Sequence, residues 1–281
     1  MNRRTFVGTL AAGVAASAQL VAAQEKAAPA KAGKAEAPVK TWSPKIERLF
    51  KVEGLVHPNA MEATPDGMWL GDQVSEKIFK VDWKTGKVLT ELQSESHNTS
   101  GVAIGEGFLW LSANGSVNNR RPPRPQDKPY GELVQADMKT GKTIKIHKVI
   151  WGGGIHGMTY VPQTNSLWVT ALSLQAVAEL DTRDNMRIKR MFPAKGTRAH
   201  GLDWDNGAMW VVFAGEREVH KFDISTGKVL EVVKLSPTAD PDPHGMCIHE
   251  GHMYYCDAGL TESGPGSERG MVCRFKLNGA T

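Results

Sequence analysis

Three of the nine histidines in this 281-residue chain fall in the same dipeptide, His-Gly, at positions 156, 200 and 244. The interval is 44 residues each time, so they belong to a repeating unit and not to a local motif. Neutral imidazole is a ligand for zinc, copper and iron, and it is also the side chain best suited to move a proton near neutral pH. His57 and His97 stand where the same unit begins twice more, and Asp72 and Asp257 end two of the strands that follow such starts. A carboxylate in that place can ligate a metal, act as a general base beside a histidine, or cap a turn. Arg198 precedes His200 by two residues, and Asp242 precedes His244 by two, so both would rim the same place. A guanidinium there suits a carboxylate or another anion on a ligand; a solvated rim charge is the plainer alternative.

Such a constellation works only if distant segments are carried to one point, and the chain contains repeats that do this. Five segments share a short strand, a tight turn and a second strand marked by an aromatic: 60–72, 101–113, 157–171, 201–213 and 245–257. Trp69, Trp110, Trp168 and Trp210 mark the first four and Tyr254 the fifth, and packing of sheet on sheet is the role they suggest. After each of the first four comes an alternating strand ending in aspartate, at Asp82, Asp137, Asp181 and Asp223, then a turn and another strand. Each unit thus predicts four antiparallel strands, and four-stranded sheets repeated radially are the blades of a β-propeller. A β-sandwich or an open solenoid would use similar strands, but the self-similarity points to an all-β ring of five blades. The fifth unit has only three strands before the chain stops, the third at 270–279. The segment 45–54, ahead of the first repeat, is expected to supply the fourth and close the ring without an open edge.

Register follows from the turns. Counting back from Glu250-Gly251 pairs His249 with His252 and then His244 with Asp257. The same count pairs Asn59 with Asp72, Ser100 with Ala113, His156 with Ala171 and His200 with Phe213. One position per blade then reads Asn59, Ser100, His156, His200, His244, at the start of the innermost strand where side chains line the channel mouth. A divalent metal (magnesium, zinc, copper or iron) would take His156, His200, His244, His57 and His97 as its ligands. Alternatively His-Gly is a repeat signature, with each imidazole bonded to a carbonyl of the neighbouring blade. His244, Asp257 and Asp72 are the candidate catalytic groups, and Asn59, Arg198 and Asp242 the candidate substrate contacts. An insertion in blade two, 116–132, opens on the same face and carries Arg120, Arg121 and Arg124. It would act as a lid over an anionic ligand, or as a loop without function. A second loop, 260–270, is rich in Gly and Ser.

The segment 67–88, with its turn, Trp, acidic strand end and Asp…Thr-Gly turn, resembles the streptogramin B lyase (virginiamycin B lyase) group, within the wider NHL-like and YncE-like propellers. His156-Gly-Met, His200-Gly-Leu and His244-Gly-Met are similar to that group's blade openings. The resemblance spans about 57–278 and is specific for the fold. It implies a magnesium-assisted elimination with a histidine base acting on a cyclic depsipeptide ester. His244 and Asp257 occupy comparable strand positions. That group has seven blades and this chain five repeats, so its substrate does not carry over.

The N-terminus, Asn2-Arg3-Arg4-Thr5-Phe6-Val7 followed by an apolar run to Ala23, resembles a twin-arginine export signal; a general secretion signal with two arginines is the alternative. Residues 1–23 are read as this signal, 24–44 as a disordered Ala/Lys/Pro-rich tether, and 45–281 as one propeller domain in the periplasm or outside the cell. The apolar run is short and Ala-rich, so no stable membrane insertion is expected after cleavage. A net charge of +4, part of it in the leader, gives no nucleic-acid footprint. Cys247, Cys256 and Cys273 allow one disulfide and a free thiol, or three buried thiols. The functional expectation is a metal-dependent lyase or hydrolase acting on a small ester- or lactone-like substrate. A noncatalytic propeller that binds a ligand or protein, and a copper or redox protein lacking any haem CxxCH motif, are the alternatives.

Overall fold

The computed structural model describes residues 38–115, 121–259 and 266–277. The proposed signal, most of the tether, residues 116–120 of the blade-two insertion including Arg120, and residues 260–265 of the 260–270 loop lie outside the described residues. Two strands, β1 (Lys40–Trp42) and β2 (Glu47–Lys51), precede the first blade. Blade one is β3 (Pro58–Thr64), β4 (Gly67–Asp72), β5 (Lys77–Val81) and β6 (Val88–Gln93). Blade two is β7 (Thr99–Gly105), β8 (Phe108–Ala113), β9 (Glu132–Asp137) and β10 (Thr143–Lys148). Blade three is β11 (Ile155–Val161), β12 (Ser166–Ala171), β13 (Ala176–Asp181) and β14 (Arg187–Pro193). Blade four is β15 (Ala199–Asp205), β16 (Ala208–Phe213), β17 (Glu218–Asp223) and β18 (Val229–Lys234). Blade five is β19 (Met246–His249), β20 (His252–Cys256) and β21 (Met271–Lys276), completed by β2. The fold is a five-bladed β-propeller, closed as the repeat count required: Glu47 pairs with Arg274 and Lys51 with Met271.

One strand was not legible. Lys40–Trp42, assigned by composition to the tether, runs parallel to β18 and gives blade four a fifth strand. Trp42 is the cause: its indole nitrogen donates to Glu231 and its ring meets Phe275 edge-on at 6.0 Å. One aromatic anchor therefore orders a segment whose average composition is that of a linker.

The hydrophobic core is divided among the seams between blades. Five buried clusters among the described residues each join two neighbouring blades. The repeat aromatics sit in successive seams: Trp69 between blades one and two, Trp110 between two and three, Trp168 between three and four, and Trp210 between four and five. Tyr254 takes the last seam, between five and one. At the c–d turns, Asp82 Oδ1 accepts from the Lys84 and Thr85 amides and the Thr85 hydroxyl, and Asp137 repeats this with Lys139 and Thr140. The Asp-x-x-Thr-Gly signature is thus a side-chain-capped turn.

The structure corrects the register at the top of every inner strand. Asp72 faces Pro58, Ala113 faces Thr99, Ala171 faces Ile155 and Phe213 faces Ala199, each one residue earlier than expected. In blade five the His244 amide donates to the Cys256 carbonyl and the Cys256 amide to the Gly245 carbonyl, two residues against one. A β-bulge therefore recurs in each blade at Asn59, Ser100, His156, His200 and His244, and it re-aims the side chain there. Turn counting cannot see a bulge, because it assumes one partner per residue.

Candidate functional site

The glycine that follows the bulged residue explains half of the His-Gly repeat. A Cβ on Gly157 would lie 2.3 Å from the His200 carbonyl oxygen, and one on Gly101 at 2.3 Å from that of His156. The inner strands of neighbouring blades are pressed together at this level, and the Gly201 amide donates to the His244 carbonyl at 2.9 Å. Ser112 and Thr170 hydroxyls take up the His156 and His200 carbonyls at 2.7 and 2.9 Å. The backbone of the ring is satisfied between blades, which leaves the side chains to the channel.

Those side chains are polar and buried. His57, Asn59, Gln73, Asn98, Ser100, His156, His200, Asp242 and His244 are all buried, a costly collection unless hydrogen-bonded or used. Asn114 Nδ2 lies 3.0 Å from His156 Nε2, and His156 Nδ1 lies 3.0 Å from His200 Nδ1. With Asn114 as donor, His156 carries its proton on Nδ1 and gives it to His200 Nδ1, so His200 is protonated on Nε2. The His200 ring lies 4.6 Å from His244, and His57 stands edge-on to His244 at 6.5 Å. Asn59 and Gln73 both donate to the Ser100 hydroxyl, at 3.3 and 2.8 Å. The imidazoles of the ring bond to one another and to neighbouring side chains, while the carbonyls beneath them make the blade-to-blade contacts.

His244 is the best-defined member. Its Nε2 lies 3.2 Å from Arg198 Nη2, and a guanidinium can only donate, so that nitrogen is a lone pair. Its Nδ1 faces Asp242, 3.4 Å from the carbonyl and 3.6 Å from Oδ2. Asp242 Oδ1 in turn lies 3.8 Å from Arg217 Nε. Asp242 is therefore not a rim charge; it stands behind the imidazole and orients it. Arg198 has φ 58°, a left-handed backbone that a side chain of its size rarely adopts. Strain of this kind persists only where surrounding structure over-determines it.

Several expected site residues play other parts. Asp257 spends both oxygens on the Asp242, Gly259 and Glu268 amides and the Ser267 hydroxyl. Asp72 does the same with the Val56, His57, Val74 and Ser75 amides. Neither presents a spare oxygen as a catalytic base; each fixes the segment leading into an inner strand, Asp257 at Asp242, two residues before His244, and Asp72 at His57. His97 is turned toward the blade-two insertion, its Nε2 3.4 Å from the Tyr130 carbonyl, and does not join the ring contacts above. Arg121 and Arg124 are spent on carboxylates: Arg121 bridges Glu76 and Asp127 at 2.8 and 2.7 Å, and Arg124 reaches Glu76 at 3.2 Å. The Arg121 guanidinium holds Asp127 well below its ordinary range, at about 2. The insertion's basic composition therefore supplies its own anchoring and no free anion site at these two residues.

Glu76 escaped sequence reasoning altogether. It is fully buried at φ 58°, and accepts from the Asn98 and Thr99 amides, the Thr99 hydroxyl and Arg121. It does for blade two what Asp72 and Asp257 do for blades one and five. Its only sequence signal was an acid in a loop shortly after an acid-ended strand.

The donor set as arranged does not fit a metal. Among the described residues no three or more His, Cys, Asp or Glu side chains are brought together to hold one, and the Nε2 of His244 faces a guanidinium. Cys247, Cys256 and Cys273 are buried free thiols in the core seams and take no part in the mouth.

The sequence matches no protein-family model and no curated protein. Solved structures share the β-propeller architecture. The glutaminyl cyclase of Myxococcus xanthus superposes with a TM-score of 0.62 at 11% identity, over 86% of this chain and 98% of that one. A luciferin-regenerating enzyme superposes with a TM-score of 0.58 at 13% identity, over 85% and 97%. The virginiamycin B lyase of Staphylococcus aureus gives 0.48 at 15% identity, over 79% of this chain and 66% of that one. At these identities the likeness is one of fold.

Proposed function

We propose that the histidine-lined mouth is a small-molecule site for an anionic ligand, and that the chain is a lyase or hydrolase using His244 as general base. The observation that carries this reading is the series Arg217–Asp242–His244–Arg198, buried as far as His244 and ending on the partly exposed Arg198 at the channel. Asp242 holds the proton on Nδ1 and Nε2 keeps its lone pair, the arrangement a base requires. An incoming carboxylate or developing oxyanion would compete for the Arg198 guanidinium, draw it off Nε2, and so free the base as the substrate arrives. An ester- or lactone-like substrate suits these two groups: elimination needs a base to take a proton from substrate carbon as the C–O bond breaks, and hydrolysis needs one to take a proton from the water that adds to the carbonyl, with Arg198 facing the oxygen that gains charge in either case. No step is routed through a metal, and elemental analysis of the native protein is expected to find none in stoichiometric amount. The arginine pair and apolar run at the N-terminus support a place of work in the periplasm or outside the cell. That two solved structures of similar fold, the glutaminyl cyclase and the luciferin-regenerating enzyme, carry enzyme names is consistent with this reading but assigns no substrate.

The test is calorimetric titration and pH-stat turnover with a panel of small carboxylates, esters and lactones. The comparison is between the wild type, Arg198→Met and His244→Gln. The expected result is a ligand that binds the wild type, loses about tenfold or more in affinity with Arg198→Met, and is turned over only when His244 is present. Equal binding by Arg198→Met would remove the anion reading. Binding with no turnover of any panel member would leave the noncatalytic propeller as the better description.

A further inference from the structure

In three of the seams between blades, a large ring closes the packing at the end away from the histidines. Trp83 does so between blades five and one, stacked on His249 at 4.0 Å. Tyr160 does so between two and three, against Gly105, and Trp204 between three and four, 6.1 Å from Trp168. The seam between four and five takes Trp42 from β1, against Phe275. Two repeat positions supply the three rings. Tyr160 and Trp204 hold the same inner-strand position, facing Leu167 and Met209, and Trp83 follows the strand-ending Asp82. Between blades one and two those positions are Ile104, facing Leu109, and Met138, after Asp137. Neither is a ring. A groove of about 550 Å³ opens there, with Trp69, Lys80 and Thr90 of blade one on one wall and Gly107, Met138 and Lys139 of blade two on the other.

The same seam holds an unanswered donor. Trp110 Nε1 donates to the Gly105 carbonyl at 3.2 Å and Trp210 Nε1 to Asp205 Oδ2 at 3.1 Å, each to the residue five back in the chain. Five back from Trp69 is Thr64, and its carbonyl is taken by Trp83 Nε1 at 3.0 Å. The Trp69 indole N–H is buried without a hydrogen-bond partner, a state that costs free energy unless something answers it. Trp168 shares that state, but Trp204 fills its seam. Lys80 Nζ lies 5.6 Å from the centre of the Trp69 ring and is paired with the exposed Asp66, so it is the part that can swing aside. Lys139 stands exposed on the facing wall, while Asp137 Oδ1 beside it is occupied by its own turn. We propose that this seam is a second binding site, remote from the histidine mouth, for a small planar aromatic acid. Its ring lies on Met138, in the place that Trp83, Tyr160 and Trp204 fill in other seams. Its carboxylate meets Lys139 and Lys80 and, as Lys80 moves, the Trp69 N–H. The missing aromatic calls for a ring; the two lysines and the unused donor call for an acid.

The probe is indole-3-acetate, titrated to millimolar concentration into the full chain. The readout is the set of tryptophan indole N–H signals in nitrogen-15 NMR spectra, assigned by triple resonance. The expected result is a saturable shift of the Trp69 signal. Met138→Trp places in this seam the ring that Trp83 gives its neighbour, and should weaken binding by about tenfold or more. Lys139→Glu, which reverses a rim charge, should weaken it by about two- to fivefold. Arg198→Met, at the histidine mouth, should leave the Trp69 titration as it is. The proposal is overturned if Trp69 does not respond, if Met138→Trp binds the probe as the wild type does, or if Arg198→Met abolishes the response. Should Met138→Trp fail to fold, Lys139→Glu decides: an unchanged affinity there would also overturn the site.

Discussion

Glu76→Ala tests whether the acidic residues above the channel are scaffold. The wild-type carboxylate accepts from Asn98 N at 2.6 Å, Thr99 N at 3.0 Å, Thr99 Oγ1 at 2.7 Å and Arg121 Nη2 at 2.8 Å. It is fully buried, so solvent screening does not discount these contacts. Removing one partner of a buried ion pair costs about 3–5 kcal/mol. Arg121 keeps Asp127 at 2.7 Å, which places the loss near the lower end, about 3 kcal/mol. For a domain of this size that corresponds to a Tm lower by about 6–12 °C. The backbone supplies an internal control: at φ 58° alanine keeps the left-handed strain and glycine relieves it, so Glu76→Gly should be about 1 kcal/mol less damaging than Glu76→Ala. Urea unfolding followed by tryptophan fluorescence, with calorimetry for Tm, reads both variants. A loss under about 0.5 kcal/mol for Glu76→Ala, or glycine as harmful as alanine, would refute the assignment.

Two other outcomes follow from the packing. Gly157→Ala must place a methyl 2.3 Å from the His200 carbonyl and 2.6 Å from the Gly201 backbone, where nothing flexible can give way. Overpacking of about 3 kcal/mol or more is expected by denaturant unfolding, whereas Gly107→Ala, with open space around it but φ 79°, should cost only the strain of about 1 kcal/mol. The three thiols should be silent to an aromatic disulfide reagent in the native state and titrate only after unfolding. Burial raises Cys247 and Cys256 far above the ordinary thiol range and pushes Cys273 up to about 12; fast labelling of any of them in the folded protein would contradict the seam packing.

The ring was legible because its signals are periodic. Aromatics, capped Thr-Gly turns and acid-ended strands recur at a spacing that only a blade explains, and the missing strand of blade five pointed to the segment ahead of blade one. What the sequence concealed were features whose cause is a single contact. Trp42 orders a strand inside a linker-like composition because Phe275 and Glu231, far along the chain, receive it. The bulge at each inner strand comes from neighbouring blades pressing backbone on backbone, which no turn count includes. At the mouth the strand ends were legible in the sequence, and the hydrogen-bond partners of the side chains there were not. Asp72 and Asp257 were drawn as bases because an acid beside a histidine invites that reading, and only the amides pointing at them show otherwise. Arg121 and Arg124 looked like a basic lid, since their carboxylate partner Glu76 lies in another blade's loop. The acid that does stand against the His244 imidazole is Asp242, two residues before it in the chain.

The closure strand has a consequence for how the molecule is made. Glu47 meets Arg274 at 2.9 Å, across 227 residues of chain, so the last seam cannot form until nearly everything between has been synthesised. Blades one to four can assemble from neighbouring sequence, each paying a short loop, but the final pairing carries the entropy of the whole chain and comes late. Until then the edge of blade five is bare, and so is β2. A chain in which β21 is formed but β2 has not yet docked on it would thus display two unpaired edges with complementary register, one near each end of the chain, and would find its partner in another copy as readily as in itself. The feature that makes the finished ring seamless makes the unfinished one adhesive.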